Sequence, residues 1–343
     1  MTTPMDAPES SQYADPEAVA AGARGAENRS LRQIAWQRFR RDKVGMAGGI
    51  VVVLLVLAAL LAPLLTAWFG HPPTQFNQHL IDPLTGGVLR DPDNPGPGVD
   101  LDPWGGIGAQ HPLGVEPVNG RDLFSRVVHG ARTSLLVATV ATVVCVAIGT
   151  VLGMTAGYFG GWVDTVISRA MDIFLAFPLL LFAIALVGVI PDGAFGLTGN
   201  GLRIGVLVFI IGFFNWPYIG RIVRGQTLTL KEREFVEAAR SLGAGSAHIV
   251  FREILPNLVT PILVYSTLLI PTNILFEAAL SFLGVGINPP TPTWGGMLEN
   301  ALRFYTIAPH FVIVPGLAVF VTVLAFNLFG DGLRDAFDPR SSD

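Results

Sequence analysis

Six stretches of this chain are apolar, almost free of charge and close to the roughly 20 helical residues needed to cross about 30 Å of hydrocarbon. No other feature restricts the fold as severely, because backbone amides surrounded by lipid can be satisfied only in helices or closed barrels. Residues 44–69 and about 133–157 are the clearest, built from Val, Leu and Ala with small residues between them. About 173–190 and about 204–222 follow, the latter interrupted by Asn215, Trp216 and Pro217. The fifth stretch, about 258–282, contains Pro261 and Pro271, and the sixth, about 308–330, contains Pro315. Prolines there predict kinks that neighbouring helices can satisfy. Charged residues are 14% of the 343, against about 25% in soluble domains. The expectation is an all-α integral membrane protein with six transmembrane helices.

Lys and Arg flanking membrane spans are retained on the cytoplasmic side. With the amino terminus inside, the inner segments hold 16 of the 22: seven before the first span, Arg169, six from Arg221 to Arg252, then Arg334 and Arg340. That asymmetry predicts both termini in the cytoplasm, as an even number of spans requires. Residues 1–30 are polar, lack the apolar core of a cleaved signal and read as a disordered cytoplasmic tail. Residues 31–43 carry Arg32, Arg38, Arg40, Arg41 and Lys43 between Ile34, Trp36 and Phe39. This predicts an amphipathic segment on the anionic inner leaflet, either a topology anchor or a lipid-recognition element. Residues 44–69 are then the first span and 70–132 an extracytoplasmic loop. Nine prolines and eleven glycines between 70 and 131 make it irregular, suited either to a delivery protein or to a mobile spacer. Residues 133–332 form the core with the other five spans, and 333–343 a cytoplasmic tail.

Several chemistries are excluded. A net charge of −4 leaves no basic field for nucleic acid. Cys145 is the single cysteine and sits in an apolar run, so it packs as a small hydrophobe. Six histidines are too scattered for metal-site spacing, no His-Glu-x-x-His string occurs, and nothing places Ser, His and Asp as a triad. No metal site and no catalytic residues are expected. The only lysines are Lys43 and Lys231, and neither closes a glycine-rich phosphate loop, so ATP hydrolysis is not expected of this chain.

Between the fourth and fifth spans, residues 231–257 read as helix, turn, helix. Phe235, Ala238, Ala239 and Leu242 fall at i, i+3, i+4 and i+7, a narrow apolar stripe on a charged helix. Gly243 and Gly245 can supply left-handed backbone at its end, and Ser246 can cap the next helix. Such a hairpin is either a plug for a partner's groove or an ordinary amphipathic helix on the bilayer surface.

The residues Glu237-Ala238-Ala239, Gly243 and Leu255-Pro256 resemble the Glu-Ala-Ala-xxx-Gly-(nine)-Ile-x-Leu-Pro signature of ATP-binding-cassette importer permeases, with matching spacing. One departure is Glu253 at the usual Ile position, with Ile254 beside it. Further strings extend the resemblance across about residues 30 to 340: His-Pro-Leu-Gly at 111–114, Gly-Arg-Asp-Leu-Phe-Ser-Arg at 120–126, Gly-Tyr-Phe-Gly-Gly-Trp-Val-Asp at 157–164 and Leu-Ala-Phe-Pro at 175–178. Glu-Ala-Ala-Leu-Ser-Phe-Leu-Gly at 277–284, Ala-Phe-Asn-Leu-Phe-Gly-Asp-Gly-Leu-Arg-Asp at 325–335 and Asp-Pro-Arg at 338–340 complete it. Together they look like the second permease subunit of binding-protein-dependent dipeptide, oligopeptide or nickel importers in the bacterial cytoplasmic membrane. The resemblance implies a type I importer permease fold. It implies that Glu237, Ala238, Ala239, Leu242, Gly243, Ala244, Leu255 and Pro256 form the coupling element docked on an ATPase subunit. It also implies the partners: a second homologous permease, two ATPase subunits that carry ATP and Mg, and an extracytoplasmic binding protein that delivers peptide. The loop from about 72 to 110 and the amino-terminal tail depart from the family and inherit no role.

Polar residues within spans, Asn215, Asn273 and Glu277, are the candidates for the substrate pathway. Glu277 lies about nineteen residues into the fifth span, roughly 28 Å from its inner end, and reads as a substrate contact, an interface cap or a partner contact. Asp172 and Asp331 read as caps or as ion pairs with Arg169 or Arg334, and His310 as interfacial. Few metal ligands lie in the spans, which favours peptides over nickel or another small solute. A transporter driven by an ion gradient would need acidic groups paired near the midplane, and the sequence shows none.

Overall fold

A computed structural model describes residues 31–93, 100–189, 193–194 and 197–337. The expected tail at 1–30 and the last six residues lie outside these. The described chain is helical apart from a two-residue antiparallel pairing of Gly193–Ala194 with Leu197–Thr198 and isolated bridges in one loop.

Helix α1 (Leu31–Arg41) leads into α2 (Lys43–Leu60) across Asp42, whose carboxylate accepts from the amides of Val44 and Gly45 at 3.0 Å and caps the helix. The first span does not run unbroken over 44–69. It stops at Leu61 and restarts as α3 (Ala62–Phe69), with Pro63 in the first turn, where a missing amide costs least. Phe39 of α1 is buried edge-on against Phe329, while Trp36 is exposed, so α1 anchors to the core through one ring and leaves the other outside.

Helix α4 (Leu123–Phe159) has 37 residues and starts about ten residues before the apolar run predicts, so residues 123–132, with Arg126 and Arg132, are helix rather than loop. At 1.5 Å per residue it is about 55 Å long, well beyond the hydrocarbon. The third expected span is broken: α5 (Gly161–Ala176) and α6 (Leu179–Val189) meet at 81° around Phe177 and Pro178. Pro178 has no amide to continue the helix and forces Phe177 into an extended conformation (ψ 127). Helix α7 (Gly199–Leu230) passes through Asn215, Trp216 and Pro217 without interruption. After a short helix α8 (Glu234–Ser241), α9 (Ser246–Phe282) contains Pro261 and Pro271 within its span. Then α10 (Trp294–Ala301) lies beside α11 (His310–Phe337), which contains Pro315. Five helices are therefore long and apolar enough to span a membrane, and the bent pair makes a sixth candidate.

The sequence's small residues explain the closest packing. A Cβ on Gly149 would stand 2.7 Å from the Trp216 carbonyl, one on Gly157 would stand 2.7 Å from Thr227 Cβ, and one on Gly153 would collide with Gly220. These glycines recur every fourth residue and so line one face of α4, letting its backbone lie directly on α7. Thr142, Asn215 and Asn273 tie three helices within this contact: Asn215 Nδ2 donates to Asn273 Oδ1 at 3.2 Å, and Asn273 Nδ2 donates to Thr142 Oγ1 at 2.8 Å. Helix α10 is pinned to α4 by the Trp294 indole, which donates to the Val127 carbonyl at 3.0 Å.

The segment between α3 and α4 has structure where it is described. Ile81, Val88 and Val115 form a small core, with bridges Ile81 to Val88, Leu89 to Leu101 and Val115 to Asp122. His310, wholly buried at the start of α11, holds this segment by approaching the carbonyls of Pro103 (3.0 Å) and Val115 (2.9 Å). Glu116 is buried between Arg121 and Arg126, the latter with its Nε 3.0 Å from the carboxylate.

Candidate functional site

Residues 231–257 form the hairpin that the sequence predicts, with local details that differ. Helix α8 begins with Glu234 and Glu237 in its first turn and ends with Arg240 in its last, so both charge types complement the helix dipole. It ends at Gly243, whose φ of +84 suits glycine. The amide of Ala244 donates to Ala239 at 3.0 Å and that of Gly243 to Arg240 at 3.0 Å, closing the helix end. Gly245, by contrast, has an ordinary φ of −74 and is itself the residue preceding the next helix. Ser246 is the first helical residue and makes no capping bond. The left-handed position is therefore Gly243 alone, and the second cap is backbone only.

The hairpin's apolar residues divide by direction. Val236 is fully buried and joins Ile249, Ile254 and Leu258 of α9, Ile219 and Val223 of α7, and Cys145 and Met154 of α4 in one cluster. The stripe of Phe235, Ala238, Ala239 and Leu242 faces outward instead. Leu242 is 90% exposed, Phe235 and Ala238 are exposed, and Ala239 is half-buried. Phe251, 62% exposed, adds a further apolar group on the hairpin's second helix. Val236, which the motif pattern passes over, is the peg that fixes this element to the spans. Its offset of about 100° around the helix from Phe235 is the sequence signal that could have found it.

The second helix enters the span through a π-helical stretch at Ile249–Ile254, directly before Leu255 and Pro256 in the first turn of the α-helical part. Pro256 lacks an amide, and a widened turn absorbs the missing bond. Ile254 is fully buried while Glu253 is half-buried, its Oε1 3.9 Å from His248 Nε2. The departure at Glu253 is thus absorbed by shifting the apolar anchor one residue along. Ala244 and Leu255 are both half-buried against the same cluster.

Charged groups gather at this end of the bundle. Arg224 pairs with Asp164, its Nη2 2.6 Å from Oδ2, and Arg221 reaches Asp172 at 2.6 Å, with Arg169 at 3.6 Å from the same carboxylate. Lys231 Nζ donates to the Gly157 carbonyl at 3.2 Å near the end of α4. Asp172 is thus in an ion pair, with Arg221 as the shorter partner.

All three pathway candidates are buried, and Asn215 and Asn273 are bonded to each other. Asn273 and Glu277 are fully buried, Asn273 in the interhelical bonds above and Glu277 with its Oε1 accepting from Ser281 Oγ at 2.8 Å. Asn215 lines a cleft of about 300 Å³ at the break between α5 and α6, with Phe174, Phe177, Pro178, Tyr218 and Phe276. The structure thus brings Asn215 and Asn273 together, while Glu277, one turn further along α9, bonds to Ser281 instead.

Residues 149–343 match the family described as binding-protein-dependent transport system inner membrane component. Residues 30–83 match the N-terminal transmembrane domain of oligopeptide transport permease C. The chain is 42% identical over 305 residues to the glutathione transport system permease protein GsiD of Escherichia coli O6:K15:H31 (strain 536 / UPEC), covering 89% of each chain. It is equally similar to GsiD of Shigella boydii serotype 4 (strain Sb227), again over 89% of both. Among solved structures, an inward-facing MetNI methionine ABC transporter chain aligns with a TM-score of 0.48 and 18% identity, over 62% of this chain and 97% of that one.

Proposed function

The chain belongs to the family of binding-protein-dependent transport system inner membrane components and is a multi-pass permease subunit of an ATP-binding-cassette importer, and we propose that it carries short peptides across the bacterial cytoplasmic membrane. Glutathione is itself a tripeptide, so the cargo in the relatives' name supports a peptide cargo here. Both termini and the 231–257 hairpin face the cytoplasm in this reading, as the distribution of Lys and Arg favours. An extracytoplasmic binding protein delivers peptide, a second homologous permease completes the pathway, and two separate subunits hydrolyse ATP.

One observation carries the proposal: the hairpin is apolar on two faces, one buried and one exposed. Val236 holds it to three spans, and the exposed Phe235, Ala238 and Leu242 are left for a partner. An element gripped on one side and packed rigidly on the other transmits the motor's closure to the spans, switching the pathway between two access states. Glu237 and Gly243 set the shape and polarity of the gripped face. Asn215, beside the helix break at Pro178, is the pathway candidate with access to a cleft, whereas Asn273 and Glu277 would act through the packing that supports it.

The test is uptake into vesicles reconstituted with all partners. Glu237→Ala and Gly243→Val should each leave ATP hydrolysis running while peptide uptake falls. Unchanged uptake in both would remove the coupling role from this hairpin.

A further inference from the structure

The histidines look scattered in sequence, yet folding brings two of them together with a carboxylate. His71, just after α3, stacks on His111 with ring centroids 4.6 Å apart. His111 Nδ1 is 2.9 Å from Oδ1 of Asp122, the residue that caps α4. One ligand atom from each of His71, His111 and Asp122 lies within 4.8 Å of the other two. Asp122 is fully buried, His111 is buried and His71 is half-buried, which leaves an approach from solvent on the His71 side.

Two features of this cluster bear on what it can hold. His71 Nδ1 is a buried polar atom with no hydrogen-bond partner. An imidazole nitrogen buried without a partner is unfavourable, and a cation held between the two rings and the carboxylate would give it one. Burial pushes the Asp122 carboxyl up, but the His111 and Ser125 hydrogen bonds outweigh it and hold the group below its ordinary range, so it is an anion. Its Oδ2 accepts from the Ser125 amide at 2.8 Å, leaving Oδ1 for the histidine side.

We propose that His71, His111 and Asp122 form a binding site for a zinc-class divalent cation that ties the end of the first span to the start of α4. Two imidazoles and a carboxylate are the donor set that first-row transition ions prefer over magnesium or calcium. Ligand atoms about 2.1 Å from a tetrahedral metal stand about 3.4 Å apart, so from separations within 4.8 Å the cluster closes by up to about 1.4 Å. The His71 ring turns out of its stack to aim Nδ1 at the ion. His111 keeps its one proton on whichever ring nitrogen the metal leaves free, and water fills the remaining position. The site joins residues 40 positions apart in sequence, which accounts for its invisibility to motif spacing. It is independent of the cargo and of the hairpin.

The experiment uses the full-length chain in detergent, freed of any histidine tag and stripped with chelator, then titrated with Co²⁺ and competed with Zn²⁺. One Co²⁺ per chain should bind with visible d–d absorption, and Zn²⁺ should displace it and raise the unfolding midpoint. In His71→Ala, affinity should fall about tenfold or more and the Zn²⁺-induced midpoint rise should vanish. The metal-free midpoint should fall little, since His71 Nδ1 has no hydrogen bond to lose and only the ring stacking on His111 goes. His111→Asn should behave likewise for metal; if that variant fails to fold, His71→Ala decides alone. Absence of saturable Co²⁺ absorption overturns the site, and equal binding in His71→Ala places the cation elsewhere and overturns it as well.

Discussion

Leu242→Ala separates a docking role for the hairpin from a packing role. Leu242 is 90% exposed in this chain and lies at the end of α8, against the Gly243 turn. Removing an exposed side chain that contacts little should change the chain's own stability by no more than about 0.5 kcal/mol. If a motor subunit buries it, complete burial of a leucine is worth about 1.5–3 kcal/mol. At 1.4 kcal/mol per factor of ten, association with the ATPase subunits should weaken by about tenfold to 150-fold. Stability can be read from the chain itself, because Cys145 is the only cysteine and is fully buried, so a thiol-reactive dye reports unfolding. Affinity is measured by titrating labelled ATPase subunits onto the detergent-solubilised permease pair. Weaker association at an unchanged midpoint is the expected result. Unchanged affinity would refute the reasoning, and a lower midpoint would show that Leu242 packs within the permease instead.

Val236→Ala reverses the pattern: deleting two buried methyl groups should destabilise the chain by about 2 kcal/mol, counting transfer and cavity together. The dye midpoint should drop while ATPase affinity is retained. Gly149→Leu drives a side chain into the Trp216 carbonyl and should cost at least about 1–3 kcal/mol through overpacking, read by the same midpoint. Asn273→Leu removes two interhelical hydrogen bonds. Bonds of this kind in membranes are each worth about 0.6 kcal/mol and at most about 1.7, so a modest midpoint loss with normal uptake is expected. Lost uptake at an unchanged midpoint would instead make Asn273 a pathway residue.

The spans were legible because apolar length is a direct physical requirement of the bilayer, and interruptions misled in both directions. Asn215, Trp216 and Pro217 interrupt the apolar run of the fourth span. It is the most enclosed by neighbouring helices, so those residues face protein rather than lipid and need no lipid-like hydropathy. Pro178 bends the third span by 81°, with Phe177 extended before it, while Pro261, Pro271 and Pro315 sit inside continuous helices. The hairpin was legible from the spacing of Glu237, Gly243 and Pro256. The direction of its apolar stripe was not, since a stripe on a short helix is equally compatible with packing inward or outward. Only tertiary contacts show that Val236 points in and Leu242 out. His71, His111 and Asp122 were beyond reach for a related reason, as they are far apart in sequence and only the fold brings them together.

The central claim is that a separate motor grips the hairpin at Leu242, and site-directed disulfide formation tests it most directly. Because Cys145 is buried, Leu242→Cys carries one accessible thiol. In the assembled transporter it should crosslink to cysteines placed along the groove of an ATPase subunit, and the crosslink should block peptide uptake until it is reduced. No crosslink at any groove position, in complexes that still take up peptide, would contradict the account.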